Sequence, residues 1–347
     1  MRLLLLLAFA AAAGAAPAAD INAIFEPLAD AKTPGVAVLV RQNGRTVFER
    51  GYGVRDLRTL ARVNARTNFR LASFTKQFTA MAIMLLVHDG KLRYDQRLTE
   101  IFPDFPAYGQ SITVRHLLTH TSGLPDYEDL MKPGAWTAAH QIQDDEVLSL
   151  LERQTAGKFA PGTKWAYSNS GYVVLGSIVA KVSGKPFGQF LHERIFQPLR
   201  MRHTLVYVNG KNTVPNRAYG YTKQDNRFVG TDQSSTSATL GDGGMYSNLE
   251  DLAKWDRALE THALLSEAEM RPALTPVKAT GGTGPVSYGF GWFLDPFEGR
   301  PRMWHTGETM GFRTLIERFT AEKLTIVVLC NRTDLDPEKL ALSVTSP

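Results

Sequence analysis

The chain has 347 residues, 44% hydrophobic and 21% charged, which is globular composition rather than disordered or fibrous. Its formal charge of +5 comes from scattered Lys and Arg with no run of five or six, so no nucleic-acid partner is expected. A single cysteine, Cys330, excludes an internal disulfide, and eight dispersed histidines without HExxH or CxxC give no metal site; no cofactor is expected.

The N-terminal MRLLLLLAFAAAAGAAPAAD carries one positive charge, a short apolar core and then small residues. That pattern predicts a secretory signal peptide over 1–19, cut near Ala16–Ala19, and hence a periplasmic or secreted protein. The apolar run is too short for a spanning helix and no later run is long enough, so no transmembrane segment is expected. VAVLVR (36–41), the turn Asn43-Gly44 and TVFERGYG predict an antiparallel hairpin. A helix follows from SFTK, with Phe78, Met81, Ala82, Leu85 and Leu86 at helical spacing and Gly90 as its C-cap. TVRHLLTHTSG has Thr113 as N-cap and Gly123 as stop; DDEVLSLLERQ is amphipathic; GYVVLGSIVAKVSG ends at Gly184. SNLEDLAKWDRALE opens with Ser247 and Glu250 spaced as a capping box.

From about residue 286 the pattern turns to strands, VSYGFGWFLD, MWHT, FRTLIERFT and KLTIVVLCN, before a short helix at Asp336-Pro337. Cys330 ends the last strand and is expected to be a small buried side chain. Strands at both chain ends with helices between predict an α+β fold, one antiparallel sheet built from both termini with an inserted helical region. No linker divides the chain. One domain is expected over 20–347, with a sheet lobe of about 20–70 and 270–347 and a helical lobe of about 71–269.

Ser73 and Lys76 share one helix face in SFTK. A serine hydroxyl needs a neighbouring base to become a nucleophile, and the first helical turn offers free backbone N–H groups for an oxyanion. A chain of this length contains about one SxxK by chance, so a capped helix start with a solvated lysine stands beside the catalytic reading. Company shifts the balance. Tyr167-Ser168-Asn169 precedes a helix; a tyrosine can relay a proton, and an asparagine can hold a substrate carbonyl, orient the lysine or cap a turn. WHTGETMGF places His305, Thr306 and Gly307 on or beside a strand. Its edge can donate a second oxyanion N–H, from Glu308 or a neighbour, and Gly307 would admit substrate backbone. The other reading there is a strand with a surface histidine and a turn glycine.

In this order SFTK, YSN and HTG resemble the class C β-lactamase and DD-peptidase family of serine hydrolases, which has esterase and D-aminopeptidase relatives. HLLTHTSGLPDY, PGTKWAYSNSGYVVLG and GDGGMYSNLEDLAKW are similar to the same family, and the resemblance runs from about 30 to 335. It implies the β-lactamase/transpeptidase-like fold, with Ser73 as the acylated nucleophile and Lys76 as its hydrogen-bonded partner and possible acylation base. Tyr167 would be general base or proton relay, and Asn169 would bind the substrate amide. His305 and Thr306 would line the far wall with Gly307, and the amides of Ser73 and Glu308 would form the oxyanion hole. His120 and the Gly241–Gly244 run read as scaffold, the latter a tight loop near the pocket. His305 stands where the family pattern has lysine; histidine is mostly neutral at pH 7, which weakens an efficient β-lactamase reading. The substrate expected is a small molecule or peptide: a β-lactam, a D-amino-acid peptide or a small ester. The alternative is a non-catalytic relative that binds peptidoglycan fragments or a partner.

Overall fold

A computed structural model of the chain describes residues 15–278 and 287–345. In chain order the elements that matter here are α1 (Ala18–Phe25), β1 (Val36–Gln42), β2 (Arg45–Tyr52), α2 (Lys76–His88), α3 (Asn169–Ser183), α4 (Leu249–Thr261), β3 (Arg302–Thr309), β4 (Phe312–Phe319), β5 (Leu324–Cys330) and α5 (Pro337–Thr345). The five strands form one antiparallel sheet in the order β3-β4-β5-β1-β2, so both ends of the chain build it, as the sequence pattern predicts. Asn43 (φ 51°) and Gly44 (φ 75°) make the two-residue β1–β2 turn. Both residues are left-handed, which matches the twist of the hairpin.

The sheet is covered on both faces. Val36, Val38 and Val40 of β1, with Ile326, Val328 and Cys330 of β5, pack against Ile21 and Phe25 of α1 and Ala341 and Val344 of α5. The alternate residues Ala37, Leu39, Val327 and Leu329 join the larger core with Phe78, Tyr172 and Trp255. Two-sided burial is why IVVLC (Ile326–Cys330) is an unbroken apolar run instead of an alternating one. Cys330 is buried as expected, and burial pushes its thiol up to about 12. Asp256 of α4 clamps the helical part to the sheet, accepting from Arg41 of β1 at 2.7 Å and Arg318 of β4 at 2.8 Å.

Several boundaries differ from expectation. The segment at SFTK is a 3-10 turn, Ala72–Thr75, and the α-helix begins at Lys76; Leu71 precedes the turn without a side-chain cap, so Ser73 is no N-cap. Ser247 lies in a short strand, Met245–Ser247, and Asn248 caps α4 by accepting from the Asp251 amide. Asparagine's short acceptor suits that position at least as well as serine. In VSYGFGWFLD, Val286 lies outside the described residues and only Ser287–Tyr288 is a strand. Thr113 does cap Val114–Leu118, which ends well before Gly123, and Gly184 (φ 69°) ends α3 as expected. Further short strands, including Leu205–Val206 and Tyr221–Gln224, interrupt the helical region.

Candidate active site

The 3-10 turn sets the site. Ala72 sits at φ 50°, a left-handed conformation that a residue with a Cβ rarely adopts, immediately before Ser73. The turn is held from three sides. The Leu71 amide donates to Met245 O at 2.8 Å, Thr314 Oγ1 of β4 donates to Leu71 O at 2.8 Å, and the Met245 amide donates to Thr75 Oγ1 at 3.4 Å; just beyond, Thr79 Oγ1 of α2 donates to Gly241 O at 2.6 Å. Edge strand β3 lies against the same turn. A Cβ on Gly307 would stand 2.0 Å from Leu71 O, so the close approach that glycine permits is to the chain's own 3-10 turn at Ser73, not to a substrate backbone. Gly307→Ala therefore meets a backbone atom that cannot swing away. The expected cost is about 1–3 kcal/mol of stability, as for other overpacking changes, together with slower covalent labelling of Ser73 as β3 shifts. Thermal melting and labelling rate check it; unchanged values for both would show that β3 does not brace the turn.

Lys76 is fully buried at the start of α2. Its Nζ lies 3.1 Å from Ser73 Oγ, 2.8 Å from Asn169 Oδ1 and 3.0 Å from Asp242 O. Three oxygens around one Nζ match the three N–H donors of an ammonium. Asn169 is the first residue of α3, but Ser168 is the N-cap, accepting from the Gly171 amide at 3.0 Å, which leaves the asparagine side chain for the lysine. The Tyr167 ring centre lies 4.9 Å from Nζ. Ser73, Lys76, Tyr167 and Asn169, separated by up to 96 residues (169 − 73), thus meet at one place. The Gly241–Gly244 run lies at the pocket, as the sequence suggests, and contributes the Asp242 carbonyl.

A polar cleft opens beside Ser73, with Arg70, Tyr127, Glu128, Asn169, Asp242 and Glu308 among its lining residues. Burial raises the Asp242 carboxyl above the usual range, and the Lys76 charge opposes that rise. The Glu308 side chain is exposed and pairs across the strand with Arg313 at 2.6 Å, which offsets its charge.

His305 is not a cleft wall. It is buried behind Tyr167, with ring centres 6.2 Å apart. Its Nδ1 is 2.6 Å from Thr306 O and its Nε2 is 3.0 Å from Tyr288 Oη. The carbonyl can only accept, so Nδ1 carries the proton and Nε2 accepts from the tyrosine; the ring is neutral. Burial, reinforced by Lys76, pushes its pKa down to about 3. Side chains alternate along β3, so Thr306 points the other way, into a separate cleft with Arg313, Leu335 and Asp336. Glu308 and Thr309 are the β3 residues that reach the Ser73 cleft.

Three contributors had no sequence signal. The Asp242 contact uses a backbone carbonyl, Tyr288 sits in an aromatic-rich run with nothing to mark it, and Arg70 is an ordinary residue until its burial is seen. His120 was legible as a residue but not for its contact with Tyr167, whose ring centre lies 4.4 Å away.

Residues 21–343 match the Beta-lactamase family. The chain is 32% identical over 325 residues to penicillin-binding protein 4* of Bacillus subtilis (strain 168), covering 90% of this chain and 71% of that protein. It is 30% identical to a D-aminopeptidase of Cereibacter sphaeroides, covering 86% of this chain and 57% of that protein. Among solved structures it is similar to the D-amino acid amidase from Ochrobactrum anthropi SV3, with a TM-score of 0.79 at 25% identity over 94% of this chain and 96% of that one. Matched over nearly its whole length, the chain belongs to the β-lactamase family and is a serine hydrolase.

Proposed function

We propose that the protein is exported and hydrolyses amide or ester bonds through an acyl-enzyme on Ser73, as a single catalytic domain over 20–347. The observation that carries this reading is the contact of buried Lys76 Nζ with both Ser73 Oγ and Asn169 Oδ1, at 3.1 and 2.8 Å, beneath the Tyr167 ring. Ser73 Oγ attacks the substrate carbonyl. Lys76, with its three donors engaged, fixes the hydroxyl and stabilises charge as it develops. Tyr167 takes the serine proton as it hands its own phenolic proton to the leaving nitrogen or oxygen, so the phenol is neutral before and after; water then attacks the acyl group through the same relay run in reverse and releases it. The amides of Ser73 and Glu308 hold the oxyanion. Asn169 orients the lysine and faces the substrate amide from the cleft wall. Export rests on the N-terminal composition; residues 1–14 lie outside the described residues, and none of the described helices is long and apolar enough to cross a membrane.

A neutral, buried His305 supplies no cation for a substrate carboxylate. This favours D-amino-acid amides or peptides and small esters over β-lactams, in keeping with the D-aminopeptidase and D-amino acid amidase among the similar proteins. A panel of nitrocefin, p-nitrophenyl acetate and a D-alanyl amide or peptide tests this, with Ser73→Ala as blank. Turnover of the latter two above nitrocefin is expected; no turnover of any would favour the non-catalytic alternative, a binder of peptidoglycan fragments. Tyr167→Phe is expected to slow p-nitrophenyl acetate turnover by at least about 100-fold, the lower range for general acid–base groups. A near-normal rate would remove Tyr167 from the mechanism.

A further inference from the structure

His120 brackets Tyr167. The amide of Ala166 donates to the His120 carbonyl at 2.9 Å, and the amide of Ser168 donates to His120 Nδ1 at 3.0 Å. The residues on either side of Tyr167 are therefore tied to one side chain and its own backbone. The His120 ring also packs on the Tyr167 ring at 4.4 Å, tilted by 35°, and is backed by Tyr172 at 5.0 Å and Tyr288 at 4.6 Å. Ser168, held this way, is also the N-cap of α3, whose first residue is the Asn169 that accepts from Lys76.

The chemistry of the ring is determined by these contacts. Nδ1 accepts an N–H, so the proton sits on Nε2, which is buried with no hydrogen-bond partner among the described residues. Protonating Nδ1 would turn two donors against each other. Burial, with Lys76 and His305 nearby, also holds this imidazole well below its ordinary range, so it stays neutral while the enzyme works. The backbone there is left-handed, φ 57°. Asparagine and histidine are both among the side chains that tolerate that conformation, so an asparagine can stand at this corner without added backbone strain.

We propose that His120 is the positioning residue for Tyr167, acting as a neutral acceptor that clamps the Tyr167-Ser168-Asn169 segment against Lys76. It touches no substrate and transfers no proton. The inference rests on the reading of Tyr167 as the proton carrier.

The test is a double-mutant cycle on p-nitrophenyl acetate turnover in the full-length protein, with His120→Asn, His120→Phe and Tyr167→Phe. Asparagine suits the left-handed backbone and places Oδ1 where Nδ1 accepts, so His120→Asn should keep most of the kcat. Phenylalanine keeps a ring but loses the acceptor, and kcat should fall by about tenfold or more, with KM little changed, as expected for a misplaced catalytic group. In the Tyr167→Phe background the same His120→Phe change should cost little further, because there is no proton carrier left to misplace. Thermal melting and the extent of Ser73 labelling by a fluorophosphonate report whether each variant is folded. If His120→Phe fails to fold, His120→Asn alone decides, since loss of most of its kcat in a folded protein overturns the clamp. Equal rates for the Asn and Phe variants, or losses that multiply with Tyr167→Phe, also overturn it. A neutral Tyr167→Phe on its own would instead overturn the reading beneath it, and the clamp with it.

Discussion

Ser73→Ala is expected to abolish covalent labelling by a fluorophosphonate and to bring hydrolysis of every substrate in the panel to background. The change is clean in structural terms. Ser73 sits in a 3-10 turn whose preceding residue, Leu71, makes no side-chain cap bond, and alanine is compatible with helical geometry. The turn is held through the backbones of Leu71 and Met245, and none of those bonds involves the Ser73 hydroxyl. What is lost is one acceptor for Lys76 Nζ, which keeps Asn169 Oδ1 and Asp242 O. The melting temperature should therefore move little while the chemistry disappears. The single thiol offers no competing nucleophile, because Cys330 is fully buried in the sheet and its pKa is pushed up to about 12. Label persisting on the alanine variant would place the reactive group elsewhere and end the acyl-enzyme assignment.

Patterns that local chemistry enforces were legible from sequence. Asn43-Gly44 can hardly be read as anything but a hairpin turn, because two successive left-handed residues are what that turn demands. The sheet built from both ends followed from where strand-like runs lie. The start of α2 was harder. A 3-10 turn and a first α-helical turn use nearly the same residues, and here the choice was made by strands β3 and β4 pressing on Leu71 from over 230 residues away (307 − 71 = 236). His305 was the instructive miss. Its motif position suggested a wall facing substrate, yet whether a histidine is exposed depends on what surrounds it. Here Tyr167, Tyr288 and Phe293 close over the ring. Gly307 was read as a glycine that admits substrate backbone, whereas the atom a Cβ would meet there is Leu71 O, which spacing could not reveal. The lysine's third partner is a carbonyl, which every residue has and no motif marks.

Lys76→Met is expected to lower turnover by about 10³–10⁴-fold, the upper range for a group acting on proton transfer and developing charge. Its stability effect should be small for reasons that partly cancel. Methionine fills a similar volume in a fully buried place, and the variant no longer buries a polar nitrogen. Against that, Asn169 Oδ1 and Asp242 O lose their donor, at about 1–3 kcal/mol for each acceptor that finds no other partner. Lys76→Arg should not restore activity, since a planar fork cannot aim one donor at each of three oxygens converging on a single point. The measurement is turnover of p-nitrophenyl acetate beside thermal melting for the Met and Arg variants. A folded Met variant with a near-normal rate would make Lys76 a packing residue and leave Ser73 to be activated by Tyr167 alone. A folded Arg variant with a near-normal rate would mean that only the charge matters, not the three-way contact that this geometry builds.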